Sequence, residues 1–104
     1  MRLVVSDLDD GAGLGLAGEL DLSSAEVLID ALEPKIVAGG RIVLDLTDLQ
    51  FLDSTGLQVL IRSAITLGDR GSIVLTHPPN LVRSILELAV RTDKLPNLVI
   101  ERGE

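Results

Sequence analysis

The stretch Asp53-Ser54-Thr55-Gly56 interrupts an apolar run, with Leu52 before it and Leu57 resuming it. Two adjacent hydroxyls beside a carboxylate and a glycine suit two different roles. A side-chain oxygen of Asp53 or Ser54 can cap a helix by accepting one of its free backbone N–H groups. Alternatively, one hydroxyl is there to react. The stretch follows the apolar segment "RIVLDL", so it lies between a buried strand and the helix after it, where α/β sheets commonly carry their functional loops. The residues leave both roles open. No catalytic base accompanies either hydroxyl: His77, the sole histidine, precedes two prolines and reads as a loop residue.

Two other constellations have chemical spacing. "GLGLAG", Gly13 to Gly18, matches the dinucleotide fingerprint G-x-G-x-x-G, with Glu33 following about twenty residues later. That fingerprint works only as a turn between a strand and a helix, where helix N–H groups meet a pyrophosphate. Here the glycines fall inside an alternating strand pattern, so no nucleotide site is expected. Asp9 and Asp10, Asp45, Thr76 and Lys94 resemble a response-regulator receiver. Such a domain uses an acidic pair for Mg²⁺, a phosphoryl-accepting aspartate, a hydroxyl residue and a lysine. In a receiver the acidic pair opens directly onto the first helix; here a glycine turn and a whole strand intervene. Asp9 and Asp10 therefore read as turn residues.

The elements that would position these residues alternate between two periods. "MRLVVS" is rich in strand formers and "DLDDGAG" is a turn. Leu14, Leu16, Gly18, Leu20 and Leu22 then recur at every second position, which predicts a strand and an antiparallel hairpin. Ser23 and Glu26 have capping-box spacing, opening a helix from about Ser24 toward Ala38 that ends at Gly39-Gly40. Pro34 predicts a kink or break within it. "RIVLDL" and "SIVLT" read as short strands buried on both faces of a parallel sheet. A second helix spans roughly Thr55 to Leu67, closed by "GDRG". "PPNLVRSILELAV" is a helix opened by prolines, and "LVIE" a last strand. The expected fold is α/β: a single domain over residues 1–104, with a mixed sheet of four to five strands and three or more helices.

Bulk properties exclude several classes. A formal charge of −7, no Trp or Tyr and one Phe argue against a nucleic-acid surface. Absence of cysteine removes disulfides and thiol chemistry and fits a reducing, cytoplasmic setting. No apolar run approaches the roughly 20 residues of a membrane span. Hydrophobic residues are 46% of the chain, enough for one core. That core must be almost wholly aliphatic. Phe51, the single aromatic, either anchors its loop to the core or faces a partner.

"LAGELDLSSAEVL" followed by "RIVLDLTDLQFLDSTGLQVLI" resembles the STAS domain of anti-sigma factor antagonists. Those bacterial proteins pair a G-E-L-D strand end with an F-[LM]-D-S-[ST]-G-L loop, and both blocks are present in order. The similarity covers about nine-tenths of the chain, and topology and pattern agree with it. The resemblance implies that Ser54 is phosphorylated by an anti-sigma factor serine kinase using ATP and Mg²⁺. A metal-dependent serine phosphatase would reverse the step. Asp21 matches a family position near that serine, and Asp53, Thr55 and Gly56 complete the partner-binding loop. The protein would be a binding module without catalytic residues, cofactor or metal. Its unphosphorylated form would bind the kinase and free a sigma factor. Two alternatives are a STAS subunit of another assembly, such as a lipid transporter, and a receiver-like domain phosphorylated on Asp45. The C-terminal "VRTDKLPNLVIERGE" departs from the family pattern.

Overall fold

A computed structural model describes residues 2–8, 11 and 13–101; Asp9 and Asp10 lie outside the described residues. Strand β1 (Val4–Asp7) pairs antiparallel with β2 (Gly13–Leu20) as the hairpin expected from the sequence. Helix α1 (Ala25–Ala38), β3 (Gly40–Leu52), α2 (Ser54–Leu67), β4 (Gly71–Thr76), α3 (Asn80–Asp93) and β5 (Leu98–Glu101) follow in alternation. The sheet order is β1-β2-β3-β4-β5, with every pair after the first parallel. Crossovers between neighbouring parallel strands are right-handed as a rule, which puts all three connecting helices on one face. Leu14, Leu16, Ile42, Leu44, Ile73, Leu75 and Leu98 project toward that face and join Leu28, Leu32, Leu60, Leu67 and Leu86 of the helices in one aliphatic core.

One-sided packing corrects the expectation that "RIVLDL" is buried on both faces. Val43 and Asp45, on the helix-free side of β3, are only half-buried. The expectation holds for β4, where Ile73, Val74, Leu75 and Thr76 are all buried by strands on either side.

Strand β3 is also much longer than its apolar segment, continuing through "TDLQFL" to Leu52. Its inward residues Leu44, Leu46, Leu49 and Leu52 are spaced two, three and three apart, which hides the strand period. Each wider step is a register shift against β2. Gly15 pairs with Asp45 but Ala17 with Asp48, and Gly18 pairs with Leu49 but Glu19 with Phe51. At each shift β3 accommodates one residue more than β2, the signature of a bulge.

Two further local expectations are corrected, and of the kink or break expected at Pro34 the break is absent. Strand β2 ends at Leu20, and Leu22 is 76% exposed rather than a strand residue. The capping box of Ser23 and Glu26 does not form: α1 starts at Ala25 with Ser24 as its N-cap, and Ser23 bonds Asp21 instead. The Ser24 hydroxyl makes no cap bond but accepts the Asp21 N–H at 3.0 Å and donates to the Glu19 carbonyl at 2.8 Å. No break occurs at Pro34, which lies on an exposed part of α1. There the Asp30 carbonyl, lacking a partner N–H, can turn to water. The divergent tail has a structural role. Asn97 Nδ2 donates to the Ala64 carbonyl at 2.8 Å, holding the start of β5 to the end of α2.

Leu49 is fully buried and sits between the two register shifts. Leu49→Ala should therefore lower stability by about 2–5 kcal/mol in urea unfolding. A change within about 0.5 kcal/mol, as at a surface position, would contradict the register.

Candidate functional site

Two loops leave adjacent strands at the same sheet edge. Leu20 and Leu52 pair at the ends of β2 and β3, and the Asp53 N–H donates to the Leu20 carbonyl at 3.2 Å. This places the Asp21 turn beside the start of α2. Asp53 is extended, with φ −105° and ψ −176°, and Oδ1 accepts the Gly56 N–H at 2.9 Å. Its carbonyl accepts the Leu57 N–H at 2.9 Å, the first bond of the helix. Asp53 is thus the N-cap. That frees Ser54 of the capping role the sequence left open to it.

Ser54 is the first residue of α2, and it is exposed. Among the described residues, no acceptor is found for the backbone N–H of Ser54 or Thr55, as expected in a first helical turn. Thr55 is half-buried and faces the seam between α1 and α2. Gly56 is buried. A Cβ there would lie 2.6 Å from both the Leu20 carbonyl oxygen and Leu20 Cγ, so only glycine lets the helix sit this close to β2. Phe51 is 45% exposed on the strand leading into this loop, so its ring is not sunk in the core.

Asp21 organises the neighbouring turn. Its Oδ1 accepts the Ser23 hydroxyl at 2.7 Å and the Ser23 N–H at 3.0 Å. Its own N–H donates to Ser24 Oγ at 3.0 Å. Hydrogen bonding from the Ser23 hydroxyl is the main influence holding the carboxyl below its ordinary range, with a smaller opposing effect of desolvation. Ser23, assigned to helix capping from the sequence, and Ser24, read there as the start of the helix, belong to this turn. Their "DLSS" spacing signalled it, since Asp side chains often bond backbone two residues on.

The other candidates lie elsewhere. Asp45 is in the middle of β3, opposite Gly15 and Thr76. Its Oδ1 accepts the Thr47 hydroxyl at 2.7 Å, which chiefly lowers its pKa, and His77 Nδ1 lies 3.9 Å away. Lys94 closes α3 ahead of β5, at the edge of the sheet where the parallel strands begin. The structure does not bring Lys94 to Asp45 and Thr76. Gly13 to Gly18 lie within β2, and Gly18, at φ +102°, is where a side chain would run into the Arg2 carbonyl. Among the described residues no cluster of His, Cys, Asp or Glu could hold a metal ion, and no helix is long and apolar enough to cross a membrane.

A protein-family model described as "Mlab, STAS domain" matches residues 4–98. A solved structure from Thermotoga maritima, tm1081, assigned as an anti-sigma factor antagonist, is 21% identical with a TM-score of 0.73. The match covers 98% of this chain and 86% of that one. The anti-sigma factor antagonist SpoIIAA in its unphosphorylated form is 17% identical with a TM-score of 0.68, covering 99% and 90% of the two chains. At these identities the similarity is one of fold. No curated protein sequence gives a significant match.

The Asp21 geometry carries a titration prediction. A lowered folded pKa means that the bonds to Ser23 favour the turn while the carboxyl is ionised. That contribution is present above the ordinary value of 3.8 and is lost as pH falls through the lowered one. Carboxyl NMR should show Asp21 titrating below 3.8, and Ser23→Ala should move its midpoint upward. An unmoved midpoint would remove the Ser23 hydroxyl as the cause.

Proposed function

The chain belongs to the STAS-domain family, and on that premise we propose that it is a phosphorylation-gated anti-sigma factor antagonist acting as one domain over residues 1–104. One observation carries the reading. Ser54, the serine of the D-S-T-G loop, is exposed at the first position of α2 while Asp53 does the capping, so its hydroxyl is available. In its unphosphorylated form the protein binds an anti-sigma factor serine kinase through Asp21, Asp53, Ser54, Thr55 and Gly56, and a sigma factor is released. The kinase then transfers the γ-phosphoryl of ATP to the Ser54 hydroxyl, and a metal-dependent phosphatase hydrolyses the ester. This protein is the substrate of both reactions, catalyses neither, and works in the cytoplasm.

The local chemistry favours this assignment. A phosphate on Ser54 meets the positive end of the α2 dipole and the open N–H groups of its first turn. The chain presents this loop at the sheet edge where β2 and β3 end together. The description of the matching family model as Mlab supports a second reading. On that reading the domain is a structural or regulatory subunit of another assembly, such as a lipid transporter. The same loop would then make a constitutive contact.

Capture of cellular partners by wild-type protein and by Ser54→Asp and Ser54→Ala variants tests the proposal. Wild type and Ser54→Ala should retain the kinase, and Ser54→Asp should lose it. Ser54→Ala should also abolish phosphorylation. Phosphate mapped by mass spectrometry to Thr55 would contradict the site. Copurification with transporter subunits, and Ser54 unmodified in cells, would select the second reading.

A further inference from the structure

Helices α1 and α2 each follow one of two parallel strands, so they run in the same direction with their N-termini at the Ser54 edge. Between them is an open groove of about 750 Å³ that begins at Leu22 and Thr55 and ends near Val37 and Thr66. Its floor is Ala25, Leu32 and Val59, all buried in the core. Apolar side chains nevertheless stand exposed along it: Leu22 at 76%, Ile29 at 42% and Val37 at 73%. Singly exposed apolar residues are ordinary, but here three of them share one groove whose floor is also apolar, the kind of patch that marks an interaction surface.

Charge identifies what covers it. Glu26 and Glu33 line the α1 side of the groove, alternating with the apolar row, and Arg62 lines the α2 side. All three are exposed, and among the described residues none forms an ion pair. Glu26 and Glu33 are seven residues apart, about 10.5 Å along the helix at 1.5 Å per residue. A helix lying in the groove presents its own positions i and i+7 at the same spacing. A small apolar ligand would have no use for this periodic charge. A second copy would bring another chain of formal charge −7 against the groove, and each copy has a single arginine there to offer against two carboxylates.

We propose that the α1–α2 groove is a docking site for an amphipathic helix of a partner protein, with an apolar stripe flanked by basic residues at i and i+7. Its basic pair meets Glu26 and Glu33, and an acidic residue on its opposite flank meets Arg62. The site rests on the proposed function only for the identity of the partner, since the groove begins at Thr55, one residue from Ser54. Docking there would place the partner across the loop whose charge state changes.

Photo-cross-linking from Val37, at the far end of the groove from Ser54, tests this in the full chain expressed in its own cells. A benzoylphenylalanine at Val37 should capture one partner segment, identifiable by mass spectrometry, that has the apolar stripe and the basic pair. Made as a synthetic peptide, that segment should bind Glu26→Lys/Glu33→Lys protein roughly tenfold more weakly, equivalent to about 1.4 kcal/mol. Exchanging its two basic residues for Glu should restore binding to that variant. Capture of a second copy of this chain, of a non-peptide molecule, of a segment without the basic pair, or of nothing would overturn the proposal. The phosphate on Ser54 is read in the same samples. Capture at Val37 with Ser54 never phosphorylated would sink the gate and leave the groove, whereas a phosphorylated Ser54 with no capture would sink the groove alone.

Discussion

The pairing of Leu20 with Leu52 is the constraint on which the site depends. At the start of the β2–β3 ladder Gly13 faces Val43, thirty positions on, and at its end Leu20 faces Leu52, thirty-two on. The two residues β3 absorbs in its bulges bring both strands to a common finish. The Asp53 N–H then reaches the Leu20 carbonyl, and α2 begins over the end of β2 with Gly56 against Leu20. Everything that could act chemically at this edge is mounted on that junction: the Asp21 turn, the Asp53 cap and the Ser54 hydroxyl. Beneath it lies an aliphatic core with Leu20, Leu49 and Leu52 among its members, so the loops stand on packed side chains.

Magnitudes explain why a charge placed here would act on binding more than on folding. An anion in the first turn of a helix is stabilised by about 0.3–1 kcal/mol at an exposed position. Nearby Asp21 and Asp53 oppose it, but charges at this water-facing edge are screened. The domain therefore has little to lose or gain. An interface closing over the same loop would have to strip water from a dianion. A charge left buried and unpaired in that way costs several kcal/mol, enough to reduce affinity by orders of magnitude. The proposed gate needs no conformational change to work.

Much of this architecture was legible in the chain because local signals and packing agree. The hairpin, the alternation of strands with helices, the prolines before α3 and the final "LVIE" strand all follow from period and turn chemistry. The extension of β3 was not legible, since bulges give Leu46, Leu49 and Leu52 a spacing of three, which breaks the two-residue alternation. Leu22 continued the alternation of β2 in sequence but lies past the strand end, because Asp21 bonds Ser23 and turns the chain. Ser23 and Glu26 had the spacing of a capping box, yet Asp21 and the Glu19 carbonyl claim the two serine hydroxyls first. At the candidate site the D-S-T-G residues were visible as a motif. Which of them caps α2 depends on backbone angles that no residue type specifies. The groove was invisible as well, because its two walls are far apart in sequence and meet only when the parallel strands set α1 beside α2.

The most direct test compares the protein with and without phosphate on Ser54, by amide NMR and by calorimetric titration against the proposed kinase partner. The account predicts shift changes confined to the Asp21 turn and the first turn of α2, together with a loss of affinity of at least about tenfold. Shift changes spread through the sheet, or an unchanged affinity, would contradict a local electrostatic gate.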